Sequence, residues 1–209
     1  MLARDYYLLM KIQSFFKCGN ITCNKNKNTY IYLVSNVNDI FNYILPHFLN
    51  YPLRGTNYLD YLDYSKIIHL LLENRTLDKN SLNIKNNNVK TILSIINNMN
   101  TNRVFNNEFI TTHLENFPLN PHYISAFIEG ESSLIVELTG LKKYRINISI
   151  DQHKNKFFLL ESFKSLLKFS SSLVLNKKTN VLKLSKSGDK YFKTFLIPFF
   201  IEYPLHSHK

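Results

Sequence analysis

Apolar and polar positions alternate with two different periods along this chain, and the periods change at regular places. Residues 5–17 carry Leu8, Leu9, Ile12, Phe15 and Phe16 at helical spacing, which predicts an amphipathic helix that Lys17-Cys18-Gly19-Asn20 breaks. Short β-rich runs at 21–23 and 30–34 flank the polar stretch 24–28 and predict a hairpin. Helices are expected over 38–49, with Pro46 ending or kinking it, over 58–73 with Leu59, Leu62, Ile67, Leu70 and Leu71 inward, and over 88–99. Residues 76–85 read as a loop with a short turn. Residues 100–119 are irregular and mark a boundary.

Past that boundary the pattern starts again. Asn120 is placed to cap a helix whose first turn holds Pro121, and the helix ends in Glu129-Gly130-Glu131. Paired acids at a helix C-terminus meet the negative end of the backbone dipole, a cost that a cation beside Glu131 would relieve. A strand over 133–138 follows, then a turn at Gly140. Residues 144–150 alternate strictly, with Tyr144, Ile146, Ile148 and Ile150 on one face and Arg145, Asn147 and Ser149 on a polar outer face. A helix at 157–168, a hairpin around 176–179 and a helix at 189–201 complete the chain.

The late elements repeat the early ones. Phe157-Phe158-Leu159-Leu160 corresponds to Tyr6-Tyr7-Leu8-Leu9, and Ser165-Leu166-Leu167-Lys168 to Ser14-Phe15-Phe16-Lys17. An Ile/Leu-Pro-x-Phe helix precedes a Tyr-Pro-Leu turn twice, and Tyr51 and Tyr203 are 152 positions apart. Two copies of one α+β unit result, the first lacking its beginning and the second its end. Lys209 falls opposite Asn57 in this register.

Charge narrows the partners. Among 209 residues, 26 are Lys or Arg against 15 Asp or Glu, a net charge of +11 that favours a polyanion, most simply nucleic acid. No apolar run reaches the roughly 18 residues a membrane span needs, so a soluble protein without a membrane partner is expected. The richness in Asn, Lys, Ile, Tyr and Phe matches AT-rich codons and suggests an organellar gene. Cys18 and Cys23 are the only cysteines and read as free thiols in a reducing compartment. His206 and His208 flank Ser207 with no acid or cysteine beside them and read as a terminal turn. Glu129 is expected to face a partner helix or solvent.

Ile124-Ser125-Ala126-Phe127-Ile128-Glu129-Gly130-Glu131-Ser132, followed by the KYRINISIDQH, LLESFKSLLK and PFFIEYPLHSHK segments, resembles the LAGLIDADG homing endonucleases and their maturase relatives. The resemblance implies αββαββα repeats, here two incomplete copies with antiparallel saddle-shaped sheets over DNA. Residues 1–100 would be the C-terminal part of the first repeat, 101–119 a linker, and 120–209 the N-terminal part of the second. It implies a metal-dependent, intron-encoded endonuclease that makes sequence-specific double-strand cuts in double-stranded DNA with Mg2+. Glu131 would be the metal-binding acid, Gln152 a polar residue near it, and Lys209 the basic residue beyond the Tyr-Pro-Leu turn. Ser125 and Ala126 would be the small positions where two motif helices meet. Arg and Asn suit guanine and adenine edges, so Arg145, Asn147 and Ser149 are candidates to read bases. Lys25, Lys27, Lys177, Lys178 and Lys183 are candidates for phosphates. Ala126 and Ser132 stand where the family usually has glycine, and Asn57 where copy one would carry a lysine. The first copy has no motif helix, so the chain is a piece of a split enzyme, a homodimer or complemented fragment, or a binding remnant. The alternative activity is a maturase gripping group I intron RNA. The implied location is the mitochondrial matrix.

Overall fold

The computed structural model describes residues 5–24, 26–99, 119–140 and 143–207. The chain divides into two compact units, Met1–Val104 and Phe105–Lys209. The boundary expected over 101–119 lies outside the described residues apart from Leu119. Among the described residues, no helix is long and apolar enough to cross a membrane.

In the first unit, α1 (Tyr6–Phe16) leads into a two-stranded antiparallel sheet of β1 (Asn20–Asn24) and β2 (Thr29–Leu33). Gly19 makes the entry to β1 with φ +74°, and a Cβ there would lie 2.7 Å from the Leu33 carbonyl oxygen and the Val34 side chain, so only glycine fits. Helix α2 passes without a break through Val37–Asp39, a π-turn at Ile40–Ile44 and Leu45–Asn50. It continues past Pro46, where the sequence suggested an end or a kink. Proline lacks an N–H and its ring crowds the carbonyl four residues back, and the wider π-turn absorbs that mismatch. Helices α3 (Thr56–Thr76) and α4 (Leu82–Asn98) follow, joined by a short 3₁₀ turn at Lys79–Ser81 that Asp78 caps. Helix α4 thus starts within the stretch expected to be a loop. Ile40, Leu45, Tyr61 and Ile68 form this unit's core, and the Tyr61 hydroxyl donates to the Leu45 carbonyl at 3.0 Å.

The second unit begins with α5 (Pro121–Glu131), capped by the Asn120 side chain, which accepts from Tyr123 N. The strands β3 (Ser132–Gly140), β4 (Lys143–His153), β5 (Val174–Asn176) and β6 (Val181–Ser187) make one antiparallel sheet in the order β3-β4-β6-β5. Helix α6 (Phe157–Leu166) and helix α7 (Asp189–Tyr191, a π-turn at Phe192–Leu196, then Ile197–Glu202) belong to the same layer as α5. Ile148 and Ile150 of β4, Leu184 of β6, Ile128 of α5 and Leu160 and Phe163 of α6 are fully buried together. Each such side chain contributes about 1.5–3 kcal/mol. The strands outrun this layer at one end, where Tyr144, Val136 and Leu138 are exposed.

The repeat extends to the backbone. Lys17 (φ 56°) and Lys168 (φ 53°) both close their helices in the left-handed conformation, and Asn28 and Asn180 both take positive φ at the hairpin turns. Both π-turns precede a proline, Pro46 and Pro198, in the second position of the next stretch. Tyr51 and Tyr203 end their helices with nearly the same angles, φ −125° and −122°.

Candidate active site and nucleic-acid face

Helix α5 ends on the sheet, and that junction gathers the polar groups. Its C-terminal residue Glu131 is exposed, and the next residue opens β3. Ser132 turns inward, and its backbone N–H and its hydroxyl both donate to the Ile128 carbonyl, the hydroxyl at 2.6 Å. The residue where the family usually has glycine therefore closes the helix rather than disturbing the strand entry. Gln152, near the far end of β4, is buried, and its Nε2 donates to Glu131 Oε2 at 2.8 Å. The sequence named both residues, and the fold places them together.

A second face of α5 holds the segment after α7. Ser125 Oγ donates to the Tyr203 carbonyl at 2.7 Å. One turn on, Glu129 Oε1 accepts from His206 N at 2.9 Å and from Ser207 N. The rings of His122 and Tyr203 meet edge to face at 5.1 Å. This corrects two expectations. Ser125 is not an open helix-interface position: it is buried against its own unit. Glu129 is half-buried and, rather than being left to solvent or a partner helix, one of its oxygens accepts from two backbone N–H groups of the 203–207 segment. The i, i+4 spacing of Ser125 and Glu129 on one helix face was the available signal. Ala126 and Gly130, also i, i+4, are exposed.

The outer sheet face is less open than its alternation suggested. Arg145 is exposed and lies opposite Glu137, and Asn147 is half-buried opposite Ile135 and Ser187. Ser149 is 4% exposed, in register with Ser133 and Ser185, so it does not project as expected: it is a short side chain on a central strand with a neighbour on each side. Asp151, which the sequence reading passed over, is exposed opposite Lys183. Lys177 and Lys178 are exposed in the β5–β6 turn, where Asn176 Oδ1 accepts from Lys178 N, and Lys27 is exposed in the β1–β2 turn. Lys25 and Lys209 lie outside the described residues.

The donor chemistry suits a hard cation. Gln152 engages one oxygen of Glu131, and the exposed carboxylate keeps its other oxygen to offer. Among the described residues no group of three His, Cys, Asp or Glu could enclose a metal. A single exposed carboxylate is a hard oxygen donor of the kind that divalent cations take.

Comparisons with known proteins bear on the family and the fold. Probable intron-encoded endonuclease 2 of Neurospora crassa is 29% identical over 226 residues, covering 99% of this chain and 48% of that protein. Probable intron-encoded endonuclease 3 of the same fungus is 36% identical over 72 residues, 34% of this chain and 13% of the other. The chain thus spans about half the length of the relative that it matches throughout. Among solved structures, the I-LtrWI LAGLIDADG homing endonuclease bound to target DNA matches with a TM-score of 0.75 and 25% identity, over 100% of this chain and 72% of that one. The LAGLIDADG homing endonuclease I-GzeII in complex with its DNA target has the same fold, with a TM-score of 0.80 at 24% identity, over 99% of this chain and 73% of the other. The family model described as LAGLIDADG endonuclease matches residues 1–68 and 124–209, and the chain belongs to that family.

Proposed function

We propose that the chain is part of an intron-encoded homing endonuclease that cuts double-stranded DNA at a specific site, with Glu131 as a metal-binding carboxylate and Mg2+ as the ion. The observation that carries this reading is the Glu131–Gln152 contact at the junction of helix and sheet. When bound, the ion would neutralise the scissile phosphate and lower the pKa of an attacking water. Gln152 holds the Glu131 carboxylate in one orientation. Ser125 and Glu129 hold the segment that leads to Lys209, the candidate to stabilise charge developing on the phosphate. Arg145 and Asn147 are the candidates for base edges, and Lys27, Lys177, Lys178 and Lys183, with Lys25, for phosphates. Ser149 drops to a supporting position.

Two-strand cleavage needs a second acid, and the exposed Ala126–Gly130 stripe of α5 is the surface against which a second motif helix, from the rest of the protein or from a partner, would bring it. The composition and the intron-encoded relatives support an organellar gene and a product in the mitochondrial matrix. The test is incubation of the chain with duplexes selected from a random library, in magnesium. Site-specific cleavage or nicking that Glu131→Gln abolishes while binding persists is expected. Intact DNA throughout, with tight binding, refutes the nuclease reading.

A maturase acting on group I intron RNA is the second reading. Asn57, exposed at the start of α3 where copy one would carry a lysine, favours it, because that activity needs no catalytic lysine. Splicing that survives Glu131→Gln would select it.

A further inference from the structure

Two carboxylates stand beside two cations on the outer face of the second unit's sheet. Ile148 and Ile150 of β4 are fully buried under the helices, so Arg145 and Asp151, which alternate with them, belong to the opposite face. Residues opposite each other in a ladder share a face. That puts Glu137 of β3 beside Arg145, and Lys183 of β6 beside Asp151. All four residues are exposed. Among the described residues, neither pair closes into an ion pair, and neither carboxylate is held by a hydrogen bond. Both acids are therefore open to a ligand on this face.

A carboxylate on a face that meets a duplex is repelled by phosphates, and when ionised it only accepts hydrogen bonds. In the major groove it finds donors at two places, the amino groups of cytosine N4 and adenine N6. Arg and Lys only donate, and they pair best with guanine O6 and N7. One G·C pair presents both partners side by side, two guanine acceptors and then the cytosine amino group. Side chains opposite each other in an antiparallel ladder stand about 4.5–5.5 Å apart at Cβ, so a basic and an acidic member can address the two halves of one base pair. An A·T pair serves the carboxylate but offers the cation a single purine acceptor. A reversed pair sets the carboxylate against guanine O6 and the cation against the amino group.

We propose that Glu137 with Arg145, and Asp151 with Lys183, are two specificity-determining pairs, each selecting one G·C base pair: the carboxylate accepts from cytosine N4 and the cation donates to guanine. Lys183 is then a base reader rather than a phosphate contact. The inference rests on the duplex-cutting reading above and adds what the face selects. Arg145 and Asp151 lie six positions apart on β4. With β4 laid along the groove, six rises of about 3.3 Å span about 20 Å, so the two G·C pairs should lie about six base pairs apart.

The full chain is used to select duplexes from a random library. Binding is then measured on a selected duplex and on copies with one base pair reversed, for the parent, Glu137→Gln and Asp151→Asn. Both replacements keep the side-chain shape and add an amide donor that tolerates the reversed pair. Reversing either G·C pair should weaken binding by the parent about tenfold. Each variant should lose that discrimination at its own position and keep it at the other. A carboxylate that acts only on structure or on phosphates would instead change affinity for every duplex alike. Selected duplexes that lack two G·C pairs at that spacing would overturn the inference and leave duplex recognition standing. Discrimination that a variant keeps at both positions removes its pair. A chain that binds no duplex sinks both the inference and the reading that it rests on.

Discussion

Replacing Glu129 with alanine removes one acceptor oxygen from two backbone donors, His206 N and Ser207 N. A hydrogen bond to a charged group contributes about 1.5–3 kcal/mol. His206 is exposed and Ser207 half-buried, so water replaces much of what is lost and each bond contributes about 1 kcal/mol, below that range. About 2 kcal/mol for the pair follows, which corresponds to roughly a thirtyfold rise in the population with the segment detached. Hydrogen exchange read at the His206 and Ser207 amides measures that population directly. Protection should fall about thirtyfold in Glu129→Ala and less in Glu129→Gln, which keeps a neutral acceptor. The amides of the buried core around Ile148 and Leu160 should change little. If the segment guides Lys209 to the phosphate, the same variant slows cleavage at saturating DNA more than it weakens binding. Unchanged exchange at both amides in Glu129→Ala would refute the clamp, whatever happened to activity.

Other variants test the framework. Lys17→Gly should stabilise the first unit by about 1 kcal/mol, because Lys17 closes α1 at φ 56° where a Cβ is strained; urea midpoints check it, and a destabilised variant would mean that the side chain's contacts outweigh the strain. Burial lowers the pKa of His47 below 6.5, among the rings of Phe15, Phe16, Phe48 and Tyr51 at centroid distances of 5.0–5.4 Å. As pH falls, the unfolded chain therefore takes up the proton first. The stability that neutral His47 carries is complete above about pH 6.5 and declines as pH drops toward the lowered folded value. Unfolding midpoints between about pH 7.5 and 5 should show this fall, and His47→Gln should flatten it.

The elements were legible wherever periodicity and local chemistry agree. The alternation in β4, the Asn120-Pro121 start of α5 and the duplicated Tyr-Pro-Leu turns each have a short-range cause, so sequence spacing reveals them. Helix α2 was harder. Pro46 normally stops a helix, and a π-turn that accommodates it depends on packing around Ile40 and Leu45, which a linear pattern does not carry. The start of α4 is hard to read because Leu82 to Asn88 is rich in asparagine, a weak helix former, and the turn that Asp78 caps leads directly into it.

By itself, the sequence determined the two-copy organisation and the motif helix, because these depend on residue type and spacing along one element or one repeat, and the family resemblance that the motif carries pointed to Glu131 and Gln152. Only the tertiary structure decided which polar side chains are available. Ser125 and Glu129 share the motif with Glu131, yet they are spent on backbone groups of a segment more than seventy positions away. Ser149 belongs to the polar face by alternation and is covered by its neighbours. A side chain's partner is set by what the fold brings within about 3 Å, and that proximity is not written in local spacing.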